Sequence, residues 1–277
     1  MLAVVLFGGV WPITKVALAD ATPLWFAASR SGLAAVVTGL LVAWRGRLRW
    51  PERGDWPAVL ALGGLQLGAF FALSHLALSL VTAGRTAVLS NLTVFWLVPL
   101  SVLILGERVS RQRWFAAGLG LAGALAMLGP WAVNWRDGAQ VAGNLLLLGA
   151  ALCWSLAILA VRARPPRRPM LELIPFAFGL GGVLVAALAA WREPAGGIGP
   201  GAWVSAGFVG LFAAPIGTWA VVEAGRRLPS VVAAVGFLLV PAVGLAASAL
   251  WLGEPLGWDI AAGAVLILLS MVVALRG

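Results

Sequence analysis

The sequence predicts an all-α polytopic membrane protein of ten transmembrane helices, arranged as two inverted five-helix repeats. Three observations predict it. The 277 residues are 62% apolar and 10% charged, and the apolar residues run in stretches of the ~20 needed to cross a ~30 Å hydrocarbon layer. The arginines collect in every second gap between those stretches. The chain also overlays on itself at a shift of 147 residues.

The stretches are read at 2–20, 23–44, 56–80, 82–105, 113–131, 142–162, 170–191, 202–224, 229–251 and 257–275. The first holds Trp11, Pro12 and Lys15. Its Ala17-Leu18-Ala19 mimics a leader cleavage site, but no basic stretch precedes the apolar run and Lys15 interrupts it, so it reads as a span. The chain starts abruptly in apolar sequence, as one lacking a few native N-terminal residues would. Lys15, near the end of its helix, can snorkel; it and Arg162, at the end of the sixth stretch, read as fixed anchors or gate elements. The second stretch carries Arg30. A charge within a span is costly and faces a cavity or a partner. Two readings stand: Arg30 grips a substrate carboxylate through its two-pronged guanidinium, or it pairs with helix-end carbonyls or Asp20.

The third stretch holds His75, a helix-packing residue or a ligand. The fourth holds Ser90 and Asn91, which bond substrate or a neighbouring helix. Eleven of the fifteen tryptophans flank gaps, as an interfacial belt does. Trp11, Trp96, Trp154 and Trp219 lie deeper. They fill packing gaps, or they wall a central cavity suited to apolar and aromatic groups. Pro12, Pro175, Pro215 and Pro241 each free a backbone carbonyl within a span. Small residues at 64–68 and 179–182 permit close helix contacts.

Orientation follows from the gaps. The second, fourth, sixth and eighth gaps and the C-terminus hold fourteen basic residues, Arg45, Arg108, Arg168, Arg226 and Arg227 among them; the opposite gaps hold Arg85, Arg136 and Arg192. The arginine-rich side is then cytoplasmic, with both termini on it. The net charge of +9 is spread over short turns and forms no basic domain, which argues against nucleic acid; weak affinity for anionic lipid is the natural consequence.

No enzymatic constellation emerges. There is one His and one Cys, without metal-ligand spacing. Ser74 and His75, adjacent on a helix, point about 100° apart. The carboxylates lie in gaps or near helix ends, including Glu107, Glu172, Glu223 and Glu254. Without a deep acid whose pKa burial would raise, transport is expected to be facilitative or coupled by other means.

At the 147-residue shift, Leu105-Gly106-Glu107 falls on Leu252-Gly253-Glu254, Phe7 on Trp154, and Lys15 on Arg162. Five spans per half is an odd number, so the second half enters the membrane upside down. The halves are bounded at 1–137 and 138–277. Inverted repeats let one unit adopt two conformations and exchange them between halves.

These residues carry a family resemblance. Phe7-Gly8 with Lys15 eight positions on, Arg30, the small-residue stretches into each Leu-Gly-Glu and the glycines that follow (Gly118, Gly120, Gly123; Gly263) resemble the drug/metabolite transporter superfamily, of the ten-helix type built from two EamA-like repeats. The chain departs from that pattern at Trp154-Ser155 and at Val94, where the family's proline is missing while Pro241 keeps it. Within the superfamily it looks most like the amino-acid exporters, the aromatic amino-acid exporters among them. The resemblance implies an inner-membrane permease moving a small amino-acid-like substrate outward. No cofactor is implied, and a functional monomer is expected because one chain can enclose its own pathway. Drugs, nucleotide sugars or other metabolites are alternative cargo; a non-transporting scaffold or a membrane enzyme lacks the domains or the catalytic set.

Overall fold

A computed structural model describes residues 2–227 and 230–276, with side chains outside 221–238. Glu223, Arg226 and Arg227, read above as loop or interface charges, lie outside the described side chains. The described residues are helical, with one isolated bridge, Ala21 to Ile198, and no strand. We number the helices α1 (Leu2–Ala17), α2 (Pro23–Trp44), α3 (Trp56–Leu80), α4 (Ala83–Leu105), α5 (Arg111–Leu128), α6 (Gly138–Ala163), α7 (Met170–Arg192), α8 (200–227), α9 (Ser230–Leu252) and α10 (Trp258–Arg276).

Seven of these are long and apolar enough to cross a membrane; α1 and the described part of α9 are shorter and apolar. The 18 residues of α5 start on the polar Arg111-Gln112-Arg113. Two predicted bounds move for local reasons. The fifth stretch stops at Leu128 rather than 131, because Gly129-Pro130 follows and proline disfavours helix before it. The sixth begins four residues early, at Gly138, because the Asp137 carboxylate accepts from the Ala139 and Gln140 amides as an N-cap.

Helices α1, α3 and α7 run in one direction and α2 in the other, as the meeting of their ends shows. At one end the Lys15 ammonium closing α1 donates to Leu78 O and Val81 O closing α3. There Glu193, after α7, accepts from the Leu24 and Trp25 amides opening α2. At the other end Asp55, opening α3, accepts from the Arg167 and Arg168 amides ahead of α7. The second is the arginine-rich end, since Arg168 there also bonds the carbonyls of Arg47 and Arg49.

Local irregularities repeat at the sequence shift. A π-helical stretch starts at Ala61 in α3 and at Phe208 in α8, 147 residues on. Gly106 and Gly253, also 147 apart, both end their helices at φ 65°, a left-handed conformation that glycine adopts without penalty. The packing repeats as well. α2 lies along α7 and α5 along α10, while α1 against α9 is matched by α6 against α4. At the α5–α10 contact a Cβ on Gly123 would sit 2.8 Å from Ile267 and 3.0 Å from Gly263 O, so only a missing side chain lets these backbones meet. Of the small residues expected to permit close helix contacts, Gly181 of α7 presses on Leu67 of α3, while Gly64 and Gly179 face open space.

Candidate substrate cavity

A cavity of about 520 Å³ lies between the helices. It reaches the arginine-rich end, since Phe7 near the start of α1 and Met271 and Leu275 near the end of α10 line it. Its polar residues include Arg30, Gln66, Ser90, Asn91 and Thr93; no acid is among its described lining residues. The first π-helical stretch borders it through Gln66 and Leu67, and Ala214, the residue after the second, lines it too. A π stretch rotates the residues after it relative to a regular helix, and such stretches concentrate at functional sites.

Arg30 is 4% exposed. Its guanidinium carbon stands 4.4 Å above the Phe71 ring. One terminal nitrogen lies 3.4 Å from His75 Nε2, and His75 Nδ1 lies 2.7 Å from Phe71 O. A carbonyl only accepts, so Nδ1 carries the proton and Nε2 is left to accept from Arg30. Arg30 Nε is buried with no partner, as is the Ser90 hydroxyl. A buried cation without a carboxylate and with an unused donor is expensive to keep.

Aromatic rings from both halves of the chain meet beside it. Phe70 packs edge-on against Trp154 at 4.7 Å and against Trp11 at 6.4 Å. α4 breaks at Ser90, Asn91 and Leu92, which puts Ser90, Asn91 and Thr93 on the cavity. Asn91 Nδ2 donates to Ala87 O of its own helix.

Several expected site residues lie elsewhere. His75 is fully buried, does not line the cavity, and meets the Arg30 guanidinium at 3.4 Å. Trp96 packs beside Phe95 at the edge of a separate core, because the helix break turns Thr93 and Val94 inward in its place. Trp219 is 44% exposed and lines a smaller cleft of about 280 Å³ with Arg45 and Pro215. Arg30 pairs with neither helix-end carbonyls nor Asp20, which instead accepts from the Gly201 amide. Arg85, counted above as a loop cation, lies inside α4. It is 2.6 Å from Asp259, and it also donates to Met127 O at 2.7 Å. Arg162 pairs with Glu107 at 2.7 Å.

Gln66, Phe71 and Phe178 line the cavity and were not singled out. Gln66 had a signal, as the amide in an otherwise apolar run. Phe71 had a weaker one, four residues before His75 on the same helix face.

The sequence model of the EamA-like transporter family matches residues 1–129 and, a second time, residues 141–276. The chain belongs to this family. It is 28% identical over 278 residues to "Uncharacterized transporter YvbV" of Bacillus subtilis (strain 168), covering 97% of this chain and 87% of that protein. It is 28% identical over 285 residues to "Uncharacterized transporter YdeK" of the same organism, covering 99% and 95%. A crystal structure of a protein 20% identical in sequence shares the fold, with a TM-score of 0.67 over 99% of this chain and 96% of that one. The protein is thus a multi-pass membrane transporter of the EamA family.

Proposed function

We propose that the protein exports small carboxylate-bearing metabolites, neutral and aromatic amino acids foremost, across a bacterial-type inner membrane by alternating access. Its ten spans form two inverted halves, 1–137 and 138–277, that rock about the cavity as a functional monomer. The helix irregularities shared at a spacing of 147 residues, the opposed directions of α2 and α7 and the doubled family match support the inverted halves. The arginine bias supports cytoplasmic termini.

One observation carries the cargo reading: a buried guanidinium with an unused Nε–H beside an aromatic cavity. A carboxylate accepts from such a donor in a strong, charge-assisted bond, and the rings of Trp11, Phe70 and Trp154 suit an apolar or aromatic side chain. A lining with Arg30 and no acid among its described residues disfavours cationic drugs.

The test is reconstitution into liposomes and uptake of a labelled amino-acid panel. Aromatic and neutral amino acids should enter without an imposed pH gradient. Arg30→Ala should lower flux by at least ~10-fold, the loss of about one charge-assisted bond, while the protein still elutes as a folded species. Uptake of dyes or drugs but of no amino acid overturns the cargo assignment. Unchanged flux in Arg30→Ala removes Arg30 from the site.

A further inference from the structure

We infer that the break in α4 holds the cargo's amino group: Asn91 Oδ1 and the Ser90 hydroxyl oxygen accept from its ammonium, so a zwitterion is recognised through neutral oxygens. This deepens the cargo reading above and rests on it. A carboxylate bound at Arg30 neutralises the guanidinium, and an amino acid then still carries one positive charge. An ammonium has three donors and no acceptor, and leaving it unpaired away from water is strongly unfavourable. No acid is among the described residues that line the cavity, so oxygens without charge have to meet it.

The break offers two. α4 runs as Ala83–Leu89 and Thr93–Leu105. Between the pieces the backbone tightens: the Asn91 amide donates to Val88 O and the Leu92 amide to Leu89 O, each at 3.1 Å. A regular helix would send the Asn91 amide to Ala87 O. The Asn91 side chain takes that place, and its Nδ2 donates to Ala87 O at 2.7 Å. A carbonyl only accepts, so nitrogen is the atom turned back on the helix, and Oδ1 is the acceptor that Asn91 keeps for the cavity it lines.

Ser90 lines the same cavity. It is 3% exposed, and its hydroxyl has no partner among the described residues. Ser74, Ser155 and Ser248 show what a buried helical serine does by default: each donates to the carbonyl four residues before it. Ser90 withholds that bond, and its oxygen stands beside Asn91 at the cavity.

The break is also pinned from behind. The Ser155 hydroxyl of α6 lies 3.3 Å from Thr93 O as well as 2.8 Å from Ala151 O, and its neighbour Trp154 lines the cavity. Acceptors fixed in advance lose little freedom when the cargo binds.

Binding of labelled phenylalanine to the protein in detergent, displaced by unlabelled analogues, tests this. Hydrocinnamate is phenylalanine without its amino group, and phenethylamine is phenylalanine without its carboxylate. The parent should prefer phenylalanine to hydrocinnamate by at least ~10-fold, the value of a hydrogen bond to a charged group. Asn91→Leu should remove most of that preference, weakening phenylalanine while hydrocinnamate stays within about 2-fold. Ser90→Ala should lower the preference severalfold without lowering the melting temperature, since the deleted hydroxyl bonds nothing among the described residues; it decides the matter alone if Asn91→Leu does not fold. Equal affinity of the parent for the two carboxylates, or variants that weaken both alike or neither, overturns the ammonium site and leaves the carboxylate reading standing. If phenylalanine does not bind, or phenethylamine displaces it as well as phenylalanine itself does, the cargo reading fails and this inference with it.

Discussion

The two ends of the molecule solve one problem with different chemistry. Away from the arginine loops, Arg85 and Asp259 lie 2.6 Å apart with side chains 8% and 12% exposed, and Arg85 also satisfies Met127 O and Ala132 O. At the arginine-rich end, Arg162 and Glu107 lie 2.7 Å apart at 51% and 30% exposure. The distances are nearly equal, so the difference is water. A buried pair is held by its surroundings and leaves a stranded charge when broken. An exposed pair is screened and exchanges partners at little energetic penalty. Burial thus makes the Arg85–Asp259 pair costly to break, and water makes the Arg162–Glu107 pair easy to exchange.

Breaking the buried pair has the largest expected effect. Asp259→Ala strands Arg85 and should lower stability by about 3–5 kcal/mol, read from thermal unfolding in detergent. Arg85→Met combined with Asp259→Leu should recover most of that loss, which separates the stranded charge from the pair's own value. If Asp259→Ala unfolds like the parent, water reaches this pair and the contrast between ends collapses.

A smaller effect sharpens the comparison, because the arginine-rich end also holds a buried acid. Asp55 is fully buried. Burial works against its charge, but the amides of Arg168, Arg167 and Glu52 and the Arg168 guanidinium outweigh it and hold the carboxyl below the ordinary value. A lowered folded-state pKa adds stability above the unfolded value, and that stability is lost as pH falls through the folded one. The melting temperature should decline on acidification through that window, and Asp55→Asn should flatten the profile. An unchanged slope in the variant assigns the acid sensitivity to another carboxylate.

The smallest effect is expected where the ion pair faces water. Glu107→Gln should change unfolding free energy by no more than ~1 kcal/mol, and added salt should shrink the difference further. A larger loss would mean that this pair is a structural clamp, and the two ends would then be alike.

The helices were legible in the sequence, because a bilayer demands about 20 apolar residues per span and the hydropathy pattern records that demand directly. The third stretch, read at 56–80, is Trp56–Leu80 in the structure. The repeat was legible too, since Leu-Gly-Glu ends α4 and α9 at the glycines that take the left-handed turn. Arg30, Trp11 and Trp154, which stand out in the sequence as a charge and indoles at depth, line the cavity. The inward turn at Thr93 was not legible: it depends on a break in α4 that no proline or glycine marks. Nor was the partner of Arg85, which lies 174 residues away.

Sequence alone determined the apolar helices and the family, since each is fixed by local composition or by a motif at a constant spacing. Tertiary structure alone decided which polar groups meet: Arg30 with His75, Arg85 with Asp259, Glu254 with the start of α4. In an apolar medium each such group needs a partner, but it takes whichever helix end is brought to it, and only the packing of the helices selects that end.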